Sequence, residues 1–161
     1  MIIEINNTTN FPVNKKSVQR VVDKCVKIFK IKNGELSIAF ISNRDIKKWN
    51  KIYRKIDKPT DVLSFGSLII DSPPFQRGVR GDFLEAVTMD IENDGTRNYA
   101  EILISYKIAK KQAKENKILI KKEIERLLIH GILHLLGYDH KKDKDADEME
   151  KMETQFRGRN I

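Results

Sequence analysis

His130-Gly131-Ile132-Leu133-His134-Leu135-Leu136-Gly137-Tyr138-Asp139-His140 contains all three histidines of a 161-residue chain. His130 and His134 are spaced i, i+4, so a helix would project both imidazoles from one face, a turn apart. The apolar positions that lead in, Ile124, Leu127, Leu128 and Ile132, repeat at helical spacing and predict that helix independently of any metal. Gly137 is placed to end it, because glycine accepts the left-handed conformation of a C-terminal cap. Beyond that turn the chain can fold back and bring His140 to the same point. Three neutral nitrogens would then hold one metal ion and leave the fourth position of a tetrahedral zinc open to water, the arrangement of a catalytic site. Imidazole also suits copper, nickel or iron; zinc is the favoured ion.

The histidine spacing is that of the metzincin peptidases. Those enzymes place a glutamate directly after the first histidine, as general base for the water on zinc. Gly131 stands there instead, so the metal cage is present without the peptidase base. A displaced base, Glu101 or Glu125, would be needed for a metallopeptidase reading.

The stretch resembles the YbeY family of metal-dependent endoribonucleases, whose motif reads His-Gly-x-Leu-His-Leu-x-Gly-Tyr-Asp-His and is filled at every specified position from His130 to His140. A second stretch supports the likeness. Tyr53-Arg54 followed by Lys58-Pro59-Thr60-Asp61-Val62-Leu63-Ser64-Phe65 is similar to the family's Tyr-Arg and Lys-Pro-Thr-Asp-Val-Leu-Ser-Phe. The resemblance covers about Tyr53 to Phe156, with a weaker match before that. It implies a single-strand-directed endoribonuclease acting on ribosomal RNA precursors and in ribosome quality control, with the small ribosomal subunit as a partner. It implies one Zn2+ held by His130, His134 and His140, and a functional arginine at Arg54. A guanidinium can clamp a phosphate in two places and stabilise charge building on phosphorus; an ion pair with Asp57 is its ordinary structural alternative. Zinc on three imidazoles can bring a water's pKa to roughly 7 without a carboxylate base. Either that water or the RNA's own 2′-OH can act as nucleophile. The other reading is a non-catalytic zinc-containing assembly factor that docks on the ribosome.

Two places depart from the family pattern. Gly66 stands where a proline is usual, and residues 66–98 form a longer variable loop, with turn signals at Ser72-Pro73-Pro74, Gly78 and Gly81 and alternation at Val87, Met89 and Ile91. Arg77 and Arg80 are read there as solvated. Ala100-Glu101 replaces the family's Gly-Asp.

Length and composition agree with one domain over residues 1–161. The hydrophobic fraction is 40%, the charged fraction 34%, and the formal net charge +8 favours polyanionic partners. No apolar run approaches the ~20 residues that span a bilayer, and Met1–Asn6 lacks the pattern of a secretory leader; a cytoplasmic protein without membrane attachment is expected. The single Cys25 can form no internal disulfide, and its apolar neighbours mark it as a small core residue.

Taken in order, Ile3 and Ile5 predict a strand. Asn14 predicts the cap of a helix with Val18, Val21, Val22, Cys25, Val26 and Phe29 on one face. Asn33-Gly34 predicts a turn before a strand at Leu36, Ile38 and Phe40. Ser42 with Asp45 predicts a capping box for a helix carrying Ile46, Trp49 and Tyr53, with Trp49 read as a core residue in preference to an RNA-stacking platform. Strands at Val62–Phe65 and Tyr99–Ser105 and a helix from Ile108 precede the histidine helix. A closing amphipathic helix carries Ala146, Met149, Met152 and Phe156, and Asp139 and Asp143 can orient ligand imidazoles. The sum is an α+β domain, a small mixed sheet of about four strands covered by helices, with the metal site on a helix of the C-terminal half.

Overall fold

The computed structural model describes residues 1–32, 34–68 and 99–138, together with Lys151, Thr154 and Phe156. Asn33, residues 69–98 with the alternation at Val87–Ile91, and Asp139, His140 and Asp143 lie outside the described residues. Of the expected closing helix, Lys151, Thr154 and Phe156 are helical, and Phe156 is buried.

The strands β1 (Ile2–Asn7), β2 (Glu35–Ile41), β3 (Val62–Gly66) and β4 (Tyr99–Ser105) form a mixed sheet in the order β1-β2-β4-β3. β1 and β4 run parallel to β2, and β3 pairs antiparallel to β4 at the edge. The helices are α1 (Lys15–Phe29), α2 (Asn43–Arg54), α3 (Tyr106–Glu115) and α4 (Ile120–Leu135). The α+β class, the mixed sheet of four strands and the order of the described elements are those expected from the sequence.

Local chemistry sets the helix starts. The Asn14 side chain accepts from Ser17 N at 3.0 Å, and Ser42 Oγ accepts from Asp45 N at 3.1 Å, each satisfying an amide the helix leaves open. Ser42 Oγ also donates to Asp45 Oδ2 at 2.6 Å. Val18, Val22 and Cys25 then bury one stripe of α1.

Alternation along β2 and β4 sorts the core into two sides. Leu36, Ile38 and Phe40 of β2 and Ala100, Ile102 and Ile104 of β4 face the larger core, shared with α1, α3 and α4. Ile41, Leu103, Leu63 and Phe65 face the smaller one, closed by Ile46 and Tyr53 of α2. Each fully buried Leu or Ile contributes roughly 1.5–3 kcal/mol. Cys25 is wholly buried, as expected of a core residue, and that burial pushes its thiol pKa far above the ordinary range.

Trp49 differs from expectation. Ile46 and Asn50 are the buried residues of α2, and Trp49 lies at the margin of that stripe, 41% exposed. No helix among the described residues is long and apolar enough to cross a membrane.

Candidate metal centre on the histidine helix

From Leu127 to Leu135 every residue of α4 is buried except His130 and His134. The helix is pressed into the larger core nearly all round, and the two imidazoles occupy its one open stripe. Their Nε2 atoms are 3.1 Å apart, with the rings at 82° and centroids 4.7 Å apart. Two nitrogens each about 2.0–2.1 Å from one tetrahedral zinc stand roughly 3.3 Å apart, so the pair fits a shared ion. In the absence of metal the same distance is a hydrogen bond, which requires one ring to carry its proton on Nε2 and the other not to.

Gly137 closes the helix as expected. Its φ is +92°, its N–H donates to His134 O at 2.9 Å, and Tyr138 N–H donates to Leu133 O at 3.1 Å. The chain therefore turns immediately after the second imidazole, on its way to His140. Leu68 N–H donates to Leu135 O at 2.9 Å, which ties the segment leaving β3 to the same helix end.

Gly131 has a packing reason. A Cβ built there would stand 3.2 Å from Ile102 Cδ1 and 3.3 Å from Ile102 Cγ2, so α4 approaches β4 over a bare backbone. The two displaced-base candidates are elsewhere. Glu101 lies between Ala100 and Ile102, whose side chains meet the helix, so by alternation it points to the other sheet face. Desolvation raises its carboxyl pKa. Glu125 pairs with Lys122 at 3.0 Å and is five residues before His130, about 140° round the helix.

Arg54 is the last residue of α2, exposed, on the sheet side opposite α4 and just before the loop into edge strand β3. It makes no hydrogen bond or ion pair with either described histidine. Asp57, the partner suggested by sequence, instead sits 3.4 Å from both Lys47 and Lys51.

A polar node beneath the histidines went unread in the sequence. Glu123 is fully buried on α4 and accepts from Arg126 Nε at 3.0 Å; Arg126, one turn before His130, also lies 3.9 Å from Asp61 Oδ2. Asp61 Oδ2 accepts from Gln112 Nε2 of α3 at 3.1 Å, and Asp61 O accepts from Ser105 N of β4 at 2.8 Å. The acid of the Thr60-Asp61 motif thus joins the loop after α2 to β4, α3 and α4. Its position in a matched motif was the available signal.

Fold and site together define a class: single-sheet α+β proteins that carry an adjacent histidine pair on the helix across the sheet. A family model described as Endoribonuclease YbeY matches residues 3–159, and the chain belongs to the YbeY endoribonuclease family. An Endoribonuclease YbeY of Persephonella marina is 39% identical over 145 residues, covering 89% of this chain and 82% of its own. That of Aquifex aeolicus is 32% identical over 136 residues, covering 84% and 76%. A Thermotoga maritima protein solved in solution is 28% identical, with a TM-score of 0.56 over 96% of this chain and 86% of its own.

Proposed function

We propose that the chain is a zinc-dependent endoribonuclease that cuts single-stranded regions of ribosomal RNA precursors, with His130, His134 and His140 holding one ion. The observation that carries this reading is the 3.1 Å approach of two imidazole nitrogens on the one open stripe of the otherwise buried stretch Leu127–Leu135. Family membership supplies the reaction. Bound zinc would supply a Lewis acid and a water acidified to a pKa near 7.

The chain's own residues do the rest. The buried surroundings of α4 hold both imidazoles in place and limit solvent to one side. Arg54, at the end of α2 beside edge strand β3, supplies a phosphate clamp for a strand passing that edge. Docking on the small ribosomal subunit fits a surface with a net charge of +8. A cytoplasmic location follows from that substrate.

Elemental analysis of the purified protein, paired with cleavage of single-stranded and duplex RNA with and without chelator, tests the proposal. One zinc per chain and chelator-sensitive cleavage of the single strand are expected. His134→Ala should lose metal and cleavage together, and Arg54→Glu should keep metal and lose cleavage. Cleavage that persists in metal-free protein refutes the metal's role, and cleavage by the Arg54→Glu protein refutes the clamp.

A further inference from the structure

Helix α2 and the turn after it concentrate the charge of the molecule. Between Asn43 and Lys58 seven lysines and arginines stand against Asp45 and Asp57, a surplus of five, whereas the other 145 residues share a surplus of three. Asp45 and Asp57 engage Arg44, Lys47, Lys48 and Lys51. Arg54, Lys55 and Lys58 have no carboxylate within ion-pair distance among the described residues.

The same segment exposes large apolar groups, Trp49 at 41%, Ile52 at 55% and Ile56 at 43%. Trp49 lies nearly flat on Tyr53, with centroids 5.5 Å apart and planes at 16°. Tyr53 in turn rests on Phe65 of β3 at 4.8 Å, and Phe65 is 9% exposed. The indole is therefore held at the surface by a column of rings rooted in the smaller core. An indole face fixed in advance, in a segment that also carries unneutralised cations, matches what a splayed nucleobase and the phosphates of its strand offer; base-on-aromatic stacking is worth enough to explain leaving a tryptophan exposed.

We propose that Trp49 is a stacking platform for a nucleobase of single-stranded RNA, with Arg54, Lys55 and Lys58 meeting phosphates of the same strand. This rests on the reading of the substrate as single-stranded RNA and adds a place where that strand is gripped outside the metal centre. A duplex, whose base faces are already stacked, gains nothing from the platform.

Trp49 is the only tryptophan, so its fluorescence reports the contact directly. The probe is a short single strand with 2′-O-methyl phosphorothioate linkages, which resists cleavage by the intact metal-loaded protein. Saturable quenching by the strand, and much weaker quenching by its pre-annealed duplex at equal phosphate concentration, is expected. Trp49→Leu, which keeps apolar bulk without an aromatic face, should weaken strand binding on the order of 10- to 100-fold, and Trp49→Phe only a few-fold. Unchanged binding by the Trp49→Leu protein, or equal quenching by strand, duplex and heparin, overturns the platform. So does a concentration-dependent dimer that Trp49→Leu converts to monomer, which would make the patch a contact between copies. If the Trp49→Leu protein does not fold, the wild-type comparison of strand with duplex decides. Cleavage of single-stranded RNA without quenching removes the platform alone; quenching without cleavage removes the nuclease reading alone.

Discussion

Gly131 and Ile102 meet across the interface of α4 and β4 at a distance too tight for a side chain unless the isoleucine gives way: an added Cβ would stand 3.2 Å from Ile102 Cδ1. In the zincin peptidases this position carries the catalytic glutamate. Here it is the point where the helix bearing the histidines touches the sheet. Restoring the acid with Gly131→Glu would drive a carboxylate into the larger core, an insertion expected to destabilise by more than about 4 kcal/mol. Chemical denaturation should show a loss of the cooperative transition, with no peptidase activity gained.

Gly66, unlike Gly131, stands where the family resemblance leads one to expect another residue, a proline. Gly66 has φ +83°, and a Cβ there would stand 2.2 Å from Tyr99 O. Proline, locked near φ −65°, cannot take that conformation. Gly66→Pro is expected to cost at least about 3 kcal/mol. Gly137 has φ +92° but open space around a built Cβ, so Gly137→Ala should cost only the roughly 1–2 kcal/mol of left-handed strain. Thermal unfolding of Gly66→Ala beside Gly137→Ala checks the difference; equal losses would show that the clash with Tyr99 relaxes.

Burial raises the carboxyl pKa of Glu101 above its unfolded value. The folded state then binds the proton more tightly than the unfolded chain does, so this group's unfavourable effect is absent below the unfolded pKa and develops as pH rises through the folded pKa. Glu101→Gln should raise the melting temperature at neutral pH and leave it nearly unchanged in acid. A variant that melts lower than wild type at pH 7 would contradict the direction.

How much of this was legible beforehand follows the range of each interaction. The caps at Asn14 and Ser42, the turn at Gly137 and the buried stripe of α4 were readable because a side chain and its target lie within a few residues. Strand order was not, since alternation marks a strand without naming its neighbour, and β3 inserts at the edge against β4. Helical spacing points Trp49 into the core because it cannot tell the centre of a stripe from its margin. The bond from Asp61 to the histidine helix was invisible for a similar reason: it joins segments brought together only by the finished sheet.

The buried acid on that helix gives its own prediction. Glu123 is 0% exposed and its paired cation is Arg126. Arg126→Met would leave a buried carboxylate without that partner, a change expected to cost about 3–5 kcal/mol. Replacing both residues by methionine should recover much of the loss, because the charge and its counter-charge leave together. A double-mutant cycle in urea measures the coupling, and additive single losses would show that the pair is not the reason for the arrangement.

Metal binding should be visible in stability, because the two imidazoles are already brought together in the folded chain and are separated when it unfolds. A ligand that binds only the folded state stabilises by RT ln(1 + [L]/Kd), about 2.7 kcal/mol at a hundredfold excess over Kd. For a chain of this size that is roughly a 5–10 °C rise in melting temperature. Added zinc should produce it in wild type, and a chelator should reverse it. His134→Ala removes one side of the 3.1 Å pair and should abolish the response. His140→Ala, which tests the third ligand by the same readout, should do likewise. A full zinc response in the His140→Ala protein would leave the ion with two imidazoles from this motif and require its remaining protein ligand to come from elsewhere.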